Sequence, residues 1–228
     1  MEAIILAGGL GTRLRAVTNG LPKPMAPINS EPFLAVLLNT LVQQGIDRVI
    51  LSVGYKAEVI ESYFGDRYRT CKLIYSTELE PLGTGGAIRQ ALELVQSEHV
   101  FVLNGDTMFR VPLLTMMRFH QERQADLSIA LKPMSDFDRY GNVVLSETRI
   151  IQFEEKQYCS HGNINGGVYL LQRNLIERFG FPSKFSFEAD FLQPCINQLQ
   201  VHGFVHDTYF IDIGIPEDYQ RAQQELGT

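Results

Sequence analysis

Apolar residues along this 228-residue chain come in two arrangements, short unbroken runs and stripes at helical spacing. The first run, Ala3-Ile4-Ile5-Leu6-Ala7, has no polar interruption and predicts a strand covered on both faces. Residues 33–44 then set Phe33, Leu34, Leu37, Leu38, Leu41 and Val42 along one side of a helix closed by Gly45. A second buried strand is predicted over 48–53, a short helix stopped by Gly65 over 57–64, and a third strand over 72–76. A helix over 85–95 and a strand over 100–103 follow. Strands and helices in strict alternation imply an α/β fold, a doubly wound and mostly parallel sheet with helices on both faces.

After Pro112 the pattern loosens. A helix over 113–123 leads to strands over 127–132, 142–146, 150–154 and 168–171. A helix over 188–199, strands over 203–206 and 209–212, and a final helix over 216–226 complete the chain. Gly141-Asn142, between two alternating segments, predicts a hairpin-like turn. No internal repeat, low-complexity stretch or Pro-, Gly- or Ser-rich linker interrupts the sequence, so one continuous domain over 1–228 is expected.

The chemistry concentrates where predicted strands end. Gly8-Gly9-Leu10-Gly11-Thr12-Arg13 follows the first strand directly, and Pro22-Lys23-Pro24 comes soon after. Glycines without Cβ atoms leave backbone N–H groups free to line a concave surface for phosphate oxygens. Arg13 adds a forked cation and Lys23 a compact one. The spacing matches neither the Walker A loop nor G-x-G-x-x-G. Asp106 ends the fourth strand and Asp212 the last. In an open α/β sheet such ends share one crevice, where two carboxylates repel unless a hard divalent cation such as Mg²⁺ lies between them. The loop from Glu78 to Ala87 follows the third strand and carries Glu78 and Glu80. A carboxylate there can accept both the N1–H and N2–H₂ donors of guanine, whereas uracil and thymine offer one N–H between two carbonyls.

With these residues in view, the chain resembles the sugar-1-phosphate nucleotidylyltransferases. The resemblance rests on Gly8-Gly9-Leu10-Gly11-Thr12-Arg13-Leu14 and Pro22-Lys23-Pro24. It continues through 78–87, Asn104-Gly105-Asp106, Glu154-Glu155-Lys156, Asn165-Gly166-Gly167 and Asp212-Ile213-Gly214. With Leu51-Ser52-Val53-Gly54-Tyr55-Lys56 added, it is most similar to the D-glycero-α-D-manno-heptose 1-phosphate guanylyltransferases within that family. The resemblance implies a Rossmann-like, glycosyltransferase-A-like fold, with a nucleotide-binding half near 1–111 and a sugar-phosphate-binding half near 112–228. It implies nucleotidyl transfer from an NTP, GTP first, to a sugar 1-phosphate, the heptose first, with uridylyl, thymidylyl and mannose-1-phosphate guanylyl transfer as alternatives. Nucleotide binding then falls to Leu6, Ala7, Gly8, Gly9, Gly11, Thr12, Arg13, Lys23, Glu78, Glu80, Gly83 and Thr84. Sugar-phosphate binding falls to Asn104, Gly141, Glu155, Lys156, Asn165, Gly166 and Glu188. Arg13, Lys23, Asp106 and Lys156 would be catalytic, and Asp106 and Asp212 would hold Mg²⁺.

Composition narrows the partners. A chain with 45% hydrophobic residues can bury a substantial core, and its net charge of −6 argues against nucleic acid. The odd number of cysteines, Cys71, Cys159 and Cys195, without metal spacing, predicts reduced thiols in a cytoplasmic protein. Neither a basic n-region nor an apolar run near the ~20 residues of a membrane span is present, so no membrane partner is expected, while a homo-oligomer is admitted. The five histidines lack ligand spacing and predict structural or surface roles. A glycosyltransferase of the same sheet would carry Asp-x-Asp where this chain has Asp106-Thr107-Met108. A non-catalytic nucleotide-sugar-binding regulator would be free to lose Lys23, Asp106 or Lys156, and all are retained.

Overall fold

The computed structural model describes residues 1–9 and 20–226. β1 (Glu2–Leu6) is followed by the two-residue strands β2 (Pro27–Ile28) and β3 (Glu31–Pro32), then α1 (Phe33–Gln43), β4 (Arg48–Val53) and α2 (Ala57–Phe64). A short β5 (Arg67–Tyr68) precedes β6 (Cys71–Thr77), α3 (Gly83–Leu92), β7 (His99–Asn104), β8 (Thr107–Phe109) and α4 (Leu113–Glu122). β1 pairs in parallel with β4 and β7, and β4 in parallel with β6. The order β7-β1-β4-β6 reverses direction at β1, and this is the crevice where ligands sit in doubly wound sheets.

Side-chain alternation on the strands divides the core between the two faces. Ala3 and Ile5 of β1 belong to a cluster with Leu34, Leu38, Ile60 and Phe64 from α1 and α2. Ile4 points the other way, to Ile88, Ala91 and Leu92 of α3. A strand sandwiched in this manner needs apolar residues at successive positions, which accounts for the unbroken run at the start of the chain.

The second half widens the sheet to ten strands. β9 (Leu127–Phe137), β10 (Val143–Ser146), β11 (Arg149–Phe153) and β12 (Cys159–Gln172) follow α4, and β12 joins β7 antiparallel. β9 and β12 run well past the predicted 127–132 and 168–171, because their polar outer ends pair with each other through backbone groups that need no apolar pattern. Gly141-Asn142 closes no hairpin. β10 pairs instead with β11 across a turn at Glu147 (φ 54), and Asn142 bridges to Ile164 of β12.

The helix expected over 188–199 is likewise replaced. A π-turn at Phe187–Leu192 runs into the three-residue α5 (Gln193–Cys195) and a 3₁₀ turn at Ile196–Gln198. Pro194 has no N–H to continue an α ladder through the middle. β13 (Val201–Val205) pairs in parallel with β9, β14 (Phe210–Asp212) pairs with β8, and α6 (Pro216–Glu225) ends the chain. Cys71 and Cys195 are buried, Cys159 is half-buried, and all three are free thiols.

Candidate active site

A cavity of about 670 Å³ opens at the carboxyl ends of β1, β4, β6 and β7. Leu6, Gly8, Gly9, Asn104 and Asp106 form one wall, and Ser52, Gly54, Tyr55, Glu78, Glu80, Gly83 and Thr84 others. Ala7 extends the β1 ladder, donating its N–H to the Ser52 carbonyl at 2.7 Å. Gly11, Thr12 and Arg13 lie outside the described residues. The candidate base readers separate here. Glu80 is exposed, whereas Glu78 is half-buried, its Oε2 accepting the Leu82 N–H at 3.0 Å and its Oε1 lying 3.5 Å from Ser52 Oγ. A Cβ on Gly8 would sit 2.6 Å from Glu78 Oε1, so glycine there makes room for the carboxylate. Ser52, Gly54 and Tyr55 are cavity residues that the sequence reading quoted in a motif without giving them a role.

Lys23, Asp106 and Asp212 meet beside this cavity. Lys23, in a 3₁₀ turn bounded by Pro22 and Ala26, places Nζ 2.5 Å from Asp106 Oδ2 and 3.5 Å from Asp212 Oδ1. The short β8–β14 ladder sets Asp212 opposite Thr107, which brings the two aspartates together from over a hundred residues apart. Burial, and then the Asp106 charge, raise the Asp212 pKa, while Lys23 and the Gly214 N–H oppose the rise. The pair therefore favours a cation between its oxygens.

A second cavity, of about 310 Å³, lies over the other half of the sheet. Gly141, Glu155, Lys156, Asn165 and Glu188 line it, as do Asn142 and Glu154, quoted above in motifs without a site role, and Ser186 and Gln193, which the sequence did not single out. A β-bulge in β12 between Asn165 and Tyr169, with Gly167 at φ 70, turns Asn165 towards this space. Asn165 donates to Glu188 Oε1 at 2.8 Å, and the buried Tyr169 hydroxyl donates to the same oxygen at 2.6 Å. Burial, reinforced by Glu188, holds the Tyr169 pKa far above its ordinary value, so the phenol stays a donor. Gly166 packs against Phe109 of β8 and the Ala130 carbonyl, where any side chain would collide. Asn104 lines the first cavity.

A reversed strand order opening onto a cavity with carboxylates and glycines at its edge defines a nucleotide-handling α/β enzyme. The chain belongs to the nucleotidyl transferase family, whose model matches residues 2–228. It is 55% identical to a D-glycero-α-D-manno-heptose 1-phosphate guanylyltransferase of Aneurinibacillus thermoaerophilus, over 99% of this chain and 98% of that one. A protein of the same name from Campylobacter jejuni is 50% identical, over 96% and 97% of the two chains. The crystal structure of HddC from Yersinia pseudotuberculosis complexed with GMP-PN superposes with a TM-score of 0.88 at 40% identity, covering 98% of both chains.

Proposed function

We propose that this protein transfers the guanylyl group of GTP to D-glycero-α-D-manno-heptose 1-phosphate, giving GDP-heptose and pyrophosphate. The observation that carries this reading is Glu78, a half-buried carboxylate held by a backbone N–H and facing the larger cavity. Its remaining acceptor sites suit the paired donors of guanine. The names of the relatives at 55% and 50% identity support the same base and sugar.

On this reading the half near 1–111 handles nucleotide and the half near 112–228 handles sugar phosphate. A phosphate oxygen of the sugar phosphate attacks the α-phosphorus. The bond to the bridging oxygen breaks, and its electron pair leaves with pyrophosphate. No enzyme nucleophile is required, so the protein's contribution is position and charge. Lys156 on the rim of the smaller cavity holds the incoming phosphate, Lys23 steadies charge at the α-phosphate, and Arg13 receives the pyrophosphate. Glu155, Glu188 and Asn165 take the sugar hydroxyls.

Asp106 and Asp212 fit a divalent cation: two hard oxygen donors converge where the Lys23 ammonium already provides a positive charge. Mg²⁺ bound by them would neutralise phosphate charge. An enzyme using GTP in this way would act in the cytoplasm, and its activated heptose would feed the assembly of a surface polysaccharide.

The test is kcat/KM for GTP against UTP in the wild type, Glu78→Gln and Glu80→Gln. The wild type should favour GTP by at least ~10². Glu78→Gln should erode that ratio because an amide nitrogen meets guanine's donors with another donor, and Glu80→Gln should leave it within about threefold. Erosion by Glu80→Gln alone would move the role to Glu80.

A further inference from the structure

The glycines that follow Glu78 do not serve the larger cavity alone. A Cβ on Gly83, which sits at φ +70, would lie 2.6 Å from the Phe185 carbonyl oxygen. Cβ atoms on Gly85 and Gly86 would run into the Phe185 ring and the Ser183 carbonyl. The first turn of α3 carries three glycines because the 183–187 segment lies directly on it. Backbone groups fasten the two together: the Gly85 N–H donates to the Phe185 carbonyl at 3.0 Å, and the Phe185 N–H to the Leu82 carbonyl at 3.0 Å.

One side chain joins this clamp. Thr84 Oγ1 accepts the Phe187 N–H at 2.9 Å. Thr84 also lines the larger cavity, while Ser186 and Glu188, on either side of Phe187, line the smaller one. Thr84 therefore lines one cavity while its hydroxyl holds the backbone between two residues that line the other. One of its lone pairs is committed to Phe187, and its proton remains available to an oxygen acceptor on the cavity side. A hydroxyl that donates becomes a better acceptor, so a nucleotide engaging Thr84 tightens the bond that fixes the start of the π-turn bearing Glu188.

We infer that Thr84 is a positioning residue that couples the two substrate subsites: nucleotide bound against its hydroxyl orders the 186–188 wall and raises affinity for the sugar phosphate. This rests on the assignment of the two cavities to nucleotide and sugar phosphate, not on the identity of base or sugar. By linkage the coupling is reciprocal, and a factor between about 5 and 150 is the usual range for coupled sites.

The test uses a non-hydrolysable analogue of whichever NTP the wild type turns over fastest, with its best sugar 1-phosphate, so an error in base or sugar leaves it intact. Calorimetry gives the ratio of sugar-phosphate Kd without and with the analogue, and hydrogen exchange follows the 183–193 backbone. The wild type should show a ratio of at least about fivefold and analogue-induced protection of 183–193. Thr84→Val, which keeps the shape but loses the hydroxyl, should weaken the analogue itself and, with the analogue kept saturating in each variant, bring the ratio to near one and abolish that protection. Thr84→Ser should restore both. A wild-type ratio near one, an unchanged ratio in Thr84→Val, or a Thr84→Ser variant that behaves like Thr84→Val would overturn the inference.

Discussion

Lys23 Nζ sits between two carboxylates, at 2.5 and 3.5 Å. If Asp106 and Asp212 hold the metal, Asp106→Asn and Asp212→Asn each remove a ligand charge while keeping the shape. Turnover should fall at least ~10²-fold at saturating Mg²⁺ with an unchanged far-UV circular dichroism spectrum. A loss of less than about tenfold in either variant would remove that residue from the metal site. The two lysines should separate in steady-state kinetics. Lys156→Ala loses a contact present before the reaction, so KM for the sugar phosphate should rise about tenfold or more with kcat nearly unchanged. Lys23→Ala should lower kcat instead, because its charge matters most as charge redistributes at the α-phosphorus. The opposite pattern would exchange the two roles.

Among the elements, the packing of α4 on β9 carries a pH dependence. His120 of α4 is 1% exposed, and its Nδ1 lies 2.9 Å from Ser128 Oγ of β9. Burial, helped by His99 of β7 and His202 of β13 and opposed by Asp126, pushes its pKa from 6.5 down to about 4. The unfolded chain thus binds a proton below pH 6.5 that the folded protein refuses, so this element's stability is complete above pH 6.5 and declines towards pH 4. Between pH 7 and pH 5 the free energy from urea denaturation should drop by about 1–2 kcal/mol through this group, and His120→Phe should remove that part of the drop. Parallel pH profiles for the two proteins would contradict it. The elements were unevenly legible in the sequence. β4 and α2 have the predicted bounds because a run of five buried residues after Arg48 and a stripe closed by Gly65 are local signals. The outer halves of β9 and β12 carry no such signal, since their ladder is made by backbone groups, and the 187–198 region broke into short turns at a proline set within an otherwise helical pattern.

At the scale of the whole molecule, the doubly wound half was readable because parallel strands buried on both faces must be apolar throughout. That reading carried the Gly8, Glu78 and Asp106 segments to one crevice without any distance information. Three features were not readable. The β8–β14 ladder unites Asp106 with Asp212, but it is three residues long on each strand and has no pattern of its own. Lys23 reaches the pair through a three-residue turn that follows Pro22 and contains Pro24. A substantial part of the purpose of the glycines at 83, 85 and 86 is contact with 183–185, a long-range fit that no local pattern encodes. The central claim, guanylyl transfer to a heptose 1-phosphate, concerns how the two cavities work together. The most direct measurement is pyrophosphate release from GTP, UTP, dTTP, CTP and ATP, each paired with D-glycero-α-D-manno-heptose, mannose or glucose 1-phosphate. The account predicts that GTP with the heptose phosphate is turned over fastest, with kcat/KM at least ~10² above any pair containing another base. Robust release with UTP or dTTP and none with GTP would contradict it.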